Sequence, residues 1–232
     1  MNRPGADAPE PGTPGIDVPD RRGRTGLHLT GLDLTGNPRV EVLDVRLLTS
    51  NWYVTRTTRI RFRHRDGHVS IEDRETYDRG NGATILLYDP ARRTVLLIRQ
   101  FRYPAYVNGH PDGELLEAPA GLLDDDAPEA AIRREAHEET GHRIGEVQRV
   151  FEAYMSPGSI TEKLYFFAAP YSERDRTDAG GGLAEEGEDI ELVELGIDEA
   201  LQRIGTDIID AKTIMLLQWA ALSGPFAAPR AG

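Results

Sequence analysis

The chain has no cysteine, few aromatic residues (7%) and no long apolar run. Without thiols there is no disulfide, no thiolate zinc site and no cysteine nucleophile. The apolar runs, Ile85–Tyr88 and Val95–Ile98 among them, fall far short of the roughly 18 residues needed to span a bilayer. No apolar stretch of the secretory-leader kind follows Met1, so the expected location is cytoplasmic. Positive charge is also scarce: 27 basic against 39 acidic side chains give a formal charge of −12. Neither nucleic acid nor an anionic membrane is therefore an expected partner, whereas divalent cations suit any clustered carboxylates. What is present is an ordinary globular composition, 39% apolar and 28% charged over 232 residues. That length suits one large domain or one domain with an appendage.

The first 26 residues hold five prolines and five glycines, with four arginines balancing four carboxylates. So little apolar area cannot offset the entropy of ordering the segment. Residues 1–38 are accordingly predicted to be a disordered or poorly structured tail, and 225–232 a short C-terminal one. Residues 39–78 read as antiparallel strands: 40–48, 52–64 and 68–77 alternate, and Asp66-Gly67 suits a two-residue hairpin turn. Four arginines (Arg59, Arg61, Arg63, Arg65) share one strand face, as a solvated sheet face in an acidic protein would carry them.

Residues 79–224 read as a second region. Ala83–Tyr88 and Thr94–Arg99 are dense apolar runs of the kind that form buried central strands, and further strands are expected at 147–155, 163–169 and 189–195. A helix is expected over 127–140, with Asp126 as its N-cap, Pro128 in its first turn and Gly141 as its stop. Two more helices follow, a short one from Ile197 to Ile204 and a last one over 211–222. The fold class is α/β, a mixed β-sheet with few helices.

Within the first of these helices Glu135, Glu138 and Glu139 are three and four residues apart, so they project from one face near its C-terminus. Like charges at that spacing, placed against the helix dipole, destabilise an isolated helix. The pattern fits either a solvated acidic face or the ligands of a hard divalent cation.

Gly121 to Gly141 resembles the Nudix box, G-x5-E-x7-R-E-U-x-E-E-x-G-U. The R-E-x-x-E-E-x-G half, Arg134 to Gly141, matches completely, with Ala136 and His142 as minor departures at the two apolar positions. The first half is one residue short, leaving Glu129 or Asp126 as the approximate counterpart of the early glutamate. The shortened box resembles that of the GDP-mannose pyrophosphatases among the nucleotide-sugar Nudix hydrolases. So do Tyr77–Tyr88, Ile98–Arg102, Val107–Gly109, Tyr154–Gly158, Gly180–Gly182 and Glu188–Glu191. The resemblance covers roughly 45–223 and nothing in the tail.

What the resemblance implies is a Nudix fold, with a mixed sheet sandwiched between helices behind an N-terminal strand region. It also implies Mg2+-dependent hydrolysis of the pyrophosphate bond of a nucleotide sugar, Mn2+ substituting. Its metal ligands would be Glu135, Glu139, the carbonyl of Ala120, and Glu188; its catalytic acids would include Glu138 and Glu139, with Glu186 or Glu188 as the base. Substrate would meet Arg102, Ala120, Gly121 and Leu122. Trp52 would stack the nucleobase, if it is not an ordinary half-buried strand aromatic. Asp73, Arg74 and Glu75 would reach the site from the neighbouring subunit of a homodimer. GDP-mannose is the expected substrate; ADP-ribose pyrophosphatase is the alternative within the family, and a non-catalytic nucleotide-sugar binder the alternative outside catalysis.

Overall fold

The computed structural model describes residues 19–26, 36–124, 126–183 and 187–228. The chain divides into two units, one running through Arg79 and including Ser156–Glu162, the other holding Gly80–Met155 and Lys163–Gly232.

In the first unit, alternation of β-branched and charged residues builds three long antiparallel strands in the order β1 (Val40–Ser50), β2 (Val54–Arg63) and β3 (Val69–Asp78). β1 carries register shifts at Val42/Asp44 and Leu47/Thr49, the bulges that bend and twist a strand. The β2–β3 hairpin is not the two-residue type expected from Asp66-Gly67. His64 N–H donates to the His68 carbonyl at 2.8 Å, and Gly67 N–H to the His64 carbonyl at 3.1 Å. This leaves three residues in the loop, with Gly67 at a φ of 88°. It is a tight turn followed by a left-handed glycine, the next commonest hairpin solution. Ser156–Glu162 joins this unit through Tyr77, whose N–H donates to the Ser159 carbonyl and whose carbonyl accepts from Thr161 N–H.

The expected featureless tail does not extend through residue 26. Residues 19–26 are tied to the first sheet, and the Asp20 side chain is buried. Composition argued from apolar area alone, whereas this segment is held by charge. Trp52 also departs from expectation: it lies in the connection between β1 and β2 rather than in a strand, and is 71% exposed.

In the second unit the dense apolar runs become β4 (Gly82–Asp89) and β5 (Thr94–Phe101), with β6 (Glu114–Glu117), β7 (Ala120–Leu122), β8 (Gln148–Tyr154), β9 (Lys163–Pro170) and β10 (Glu191–Gly196) around them. The order is β10-β5-β4-β9-β8, β6 pairing with β5 and β7 with β4. β4 runs parallel to β9 and the other pairs are antiparallel, so the sheet is mixed. Helix α1 (Tyr103–Val107) is a single turn; α2 is Pro128–Thr140, α3 Ile197–Gln202 and α4 Ala211–Leu222.

β4 is buried on both faces, as its continuous apolar run requires. Ala83, Ile85 and Leu87 face Ala131, Ile132 and Ala136 of α2, while Leu86 packs with Ile197 and Ala200 of α3 and with Leu216, Leu217 and Ala220 of α4. The sheet is thus sandwiched between α2 and the α3–α4 pair. Burying a side chain of that size contributes about 1.5–3 kcal/mol, which fixes α2 on the sheet. Asp126 does not cap α2. The cap position is Ala127, with no side-chain hydrogen bond, and Pro128 opens the helix. Asp126 instead lies 3.8 Å from Arg134.

Candidate active site

The acidic face of α2 meets the short strand β7. Pairing of Thr84 with Ala120 aligns β7 on β4, and the Pro119 carbonyl accepts from Ile85 N–H (2.9 Å) and Thr84 Oγ1 (3.0 Å). This fixes Ala120 and Gly121 against the helix. Ala120 N–H donates to Glu139 Oε2 at 3.1 Å, and Glu139 is only 2% exposed. A Cβ on Gly121 would lie 2.1 Å from Cδ of Glu135, so only glycine leaves that carboxylate where it is. Arg134 reaches both Glu135 (2.9 Å) and Glu138 (3.2 Å), restraining two acids that follow it on the helix.

The glycine-rich segment closes the other side. Gly181 N–H donates to the Glu139 carbonyl at 2.9 Å and Gly182 N–H to the Glu138 carbonyl at 3.1 Å. These are carbonyls at the C-terminal end of α2 that the helix itself leaves without partners. Gly180 adopts a φ of 66°, and a Cβ there would meet the Thr140 carbonyl carbon at 2.5 Å. The same segment brings Glu188 in, its Oε2 accepting from Leu183 N–H at 2.9 Å.

Electrostatically the site is under strain of one sign. Burial pushes the Glu135 carboxyl up to about 7; Arg134 opposes this, while Glu138 and Glu188 add to it. Burial also pushes Glu139 well above the carboxylate range, reinforced by Glu135 and Glu188 and opposed by Arg102 and the Ala120 N–H. Among the described residues no three acidic or histidine side chains are gathered tightly enough to enclose an ion by themselves. The donor set nevertheless fits magnesium, which takes one or two carboxylates and fills its remaining positions with waters and substrate phosphates. A divalent cation would also relieve the repulsion among Glu135, Glu139 and Glu188.

Arg102 stands on a support that sequence reasoning missed. Its Nε and Nη2 donate to Glu117 Oε1 (3.0 Å) and Oε2 (2.7 Å). Lys212 Nζ donates to the same Oε2 at 2.7 Å and lies 3.0 Å from Asp210 Oδ2. Asp210 accepts from Thr213 N–H and Oγ1, and that hydroxyl accepts from Ala118 N–H at 2.7 Å. Burial alone would raise the Glu117 carboxyl; Lys212 and Arg102 outweigh it and hold it at about 2. A signal existed: Lys212 is one of only two lysines in the chain and stands in a mostly apolar helix, and Glu117 interrupts an apolar run.

The structure thus brings together Glu135, Glu138, Glu139, Ala120, Gly121, Glu188 and Arg102 within the second unit. Leu122 lies on β7 opposite Gly82. Glu186 lies outside the described residues. Trp52, Asp73, Arg74 and Glu75 belong to the first unit, where Asp73 pairs with Arg59 at 3.0 Å and Arg74 pairs with Glu72.

The NUDIX domain profile matches residues 78–217, and that of the "GDP-mannose pyrophosphatase NudK N-terminal domain" matches residues 39–77. The chain is 49% identical over 187 residues to a protein of Enterobacter sp. (strain 638) named GDP-mannose pyrophosphatase, an alignment covering 80% of this chain and 97% of that one. It is 51% identical over 189 residues to the protein of that name from Pectobacterium atrosepticum, covering 81% and 97%. To the one from Escherichia coli O157:H7 it is 48% identical over 186 residues, covering 80% and 96%. With the box glutamates, their supporting strand and both profiles in agreement, the chain belongs to the Nudix family.

Proposed function

We propose that the protein hydrolyses GDP-mannose to GMP and mannose 1-phosphate in a Mg2+-dependent reaction, with Mn2+ able to substitute. The observation that carries the reading is Glu139, buried yet facing two further carboxylates. Such a group is a liability in the fold unless a cation uses it. The relatives' names suggest the substrate, and the description of the profile over residues 39–77 agrees with it.

Glu135, Glu139, Glu188 and the Ala120 carbonyl would hold the metal. When bound, it neutralises the pyrophosphate and lowers the pKa of a coordinated water. The remaining work falls to the chain. Arg102, its Nε and Nη2 already engaged by Glu117, has Nη1 left for a phosphate oxygen. Ala120, Gly121 and Leu122 would offer backbone groups to the substrate. Arg134 keeps Glu138 aligned beside Glu139. Water attacks phosphorus, the P–O bond to the leaving phosphate breaks, and the proton released by water passes to a carboxylate of the glycine-rich segment, Glu186 or Glu188. Trp52 stacks the base, and Asp73, Arg74 and Glu75 complete the site from the second subunit of a homodimer. The protein acts in the cytoplasm; among the described residues no helix is long and apolar enough to cross a membrane.

The test is a turnover panel with magnesium. GDP-mannose should exceed ADP-ribose by at least ~10-fold in kcat/KM, about 1.4 kcal/mol of differential transition-state binding. Guanine presents an N2 donor and an O6 acceptor where adenine presents an N6 donor, so a guanine site leaves polar groups unpaired around adenine. Equal or reversed ratios would assign the protein to ADP-ribose instead. Binding without turnover of any nucleotide sugar would make it a sensor.

A further inference from the structure

Residues 19–26 precede both profile matches, the earlier of which starts at residue 39, yet they are bound firmly to the first unit. Asp20 is 5% exposed. Its Oδ2 accepts from Arg22 Nη2 (2.9 Å) and Arg56 Nη2 (3.1 Å), and its Oδ1 from the backbone N–H groups of Arg22 (2.8 Å) and Arg24 (3.2 Å). Arg22 continues to Asp78 at 2.6 Å. Arg56 is a buried residue of β2, and its guanidinium also donates to the Arg24 carbonyl at 2.8 Å. A buried arginine needs such partners, because an uncompensated charge in that position is strongly destabilising. A Cβ on Gly26 would meet Arg56 Cδ at 2.9 Å and Val45 Cγ1 at 3.1 Å, so the segment runs directly over β1 and β2.

Two further bonds leave this anchor, one for the last residue of β1 and one for the connection that follows it. Arg21 N–H donates to Ser50 Oγ at 2.8 Å, and Arg21 Nη2 donates to the Trp52 carbonyl at 2.9 Å. The connection has one internal backbone bond, from Asn51 N–H to the Tyr53 carbonyl at 3.2 Å. Its exposed indole meets Tyr53 edge-on at 6.5 Å. The segment 19–26 therefore ties both the strand end that enters a short loop and the loop itself, which carries a large exposed aromatic residue.

We propose that Asp20 and Arg21 are positioning residues for substrate binding. Asp20 locks the segment onto Arg56, and Arg21 uses that anchor to hold the Trp52 loop in the form that receives the nucleobase. The inference rests on the role given to Trp52 above. A loop ordered in advance loses less freedom when the ligand arrives. That advantage is equal in the ground and transition states, so it enters KM and leaves kcat alone.

The experiment uses the full chain and the variants Asp20→Ala, Arg21→Ala, Arg21→Lys and Trp52→Ala. GDP-mannose turnover with Mg2+ and amide hydrogen exchange at Asn51, Trp52 and Tyr53 are the readouts. Asp20→Ala and Arg21→Ala should raise KM by about 3- to 10-fold with kcat within about 2-fold, and should speed exchange at those three amides. Arg21→Lys keeps a donor for the Trp52 carbonyl and should restore most of the KM. Because Arg21 is exposed, its alanine variant tests the idea without threatening the fold. Unchanged exchange in both alanine variants overturns the proposal, and so does an unchanged KM where Trp52→Ala raises it. If Trp52→Ala itself leaves KM unchanged, the nucleobase role of Trp52 fails and the positioning role with it. Exchange then reports separately whether the segment braces the loop.

Discussion

Gly121 and Glu135 stand so close that a Cβ on the glycine would lie 2.1 Å from the glutamate Cδ. The clash falls on the far end of a flexible side chain rather than on backbone. Gly121→Ala should therefore spare the fold and displace the carboxylate. The expected result is a melting temperature within a few degrees of wild type and a rise of at least ~10-fold in the Mg2+ concentration for half-maximal activity, since ligand placement governs affinity. An unchanged metal requirement would remove Glu135 from the ligand set.

Glu139→Gln separates stability from activity. The amide oxygen can still accept the Ala120 N–H, so the local structure is kept. The cost of holding a carboxyl there, set by burial and by Glu135 and Glu188, is removed. The variant should lose at least ~10²-fold in kcat, yet in metal-free buffer at neutral pH it should melt at or above the wild-type temperature. Near wild-type turnover would exclude Glu139 from the mechanism; a large fall in melting temperature would show that its charge is needed for folding.

These predictions draw on parts of the chain that differed in how readable they were. Helices α2 and α4 were legible because a proline at the start, a glycine at the stop or an apolar stripe marks each within a dozen residues. The central strands were legible because Ala83–Tyr88 and Thr94–Arg99 contain little but apolar side chains. Strand β7 and helix α1 span three and five residues, too few for any period to register. The Glu117–Lys212 pair joins residues 95 apart, a relationship no local pattern carries. The 19–26 segment was misread because its ordering rests on Asp20 meeting a buried arginine 36 positions later. An apolar-area argument could not anticipate that.

The Glu117 network has a defined pH signature. Its folded pKa, about 2, lies below the ordinary glutamate value. The unfolded chain therefore binds the proton more readily, and the stabilisation is fully present above the unfolded pKa and lost as pH falls through the window toward 2. Glu117→Gln leaves Lys212 and Arg102 facing a neutral amide. It should be destabilised by several kcal/mol at pH 7, since one partner of a buried ion pair has been removed. The gap to wild type should narrow steadily as pH falls from about 5 to 3 in denaturant titrations. A pH-independent gap would mean that packing, not charge, is what Glu117 contributes. Activity should fall as well, through Arg102, with KM rising more than kcat drops.

The homodimer reading is tested by complementation. Among the described residues β1 and β3 are the outer strands of the three-stranded sheet, β3 being covered only at Tyr77, and β3 exposes Val69 and Ile71. Long edges with apolar side chains invite pairing with another copy unless something blunts them. If Arg74 serves the partner's site, an Arg74→Ala subunit and a Glu139→Gln subunit are each inactive for opposite reasons. An equimolar mixture that exchanges subunits forms mixed dimers in about half of cases, each with one intact site of two, as two-fold symmetry dictates. Activity should recover to about a quarter of wild type on that count. Recovery must also follow the rate of subunit exchange, which excludes simple contamination. Exchange without recovery would place Arg74 and Glu139 in the same subunit's site or leave Arg74 outside catalysis. A monomer by sedimentation at assay concentration would dispose of composite sites altogether, and the exposed β3 edge would then need another explanation.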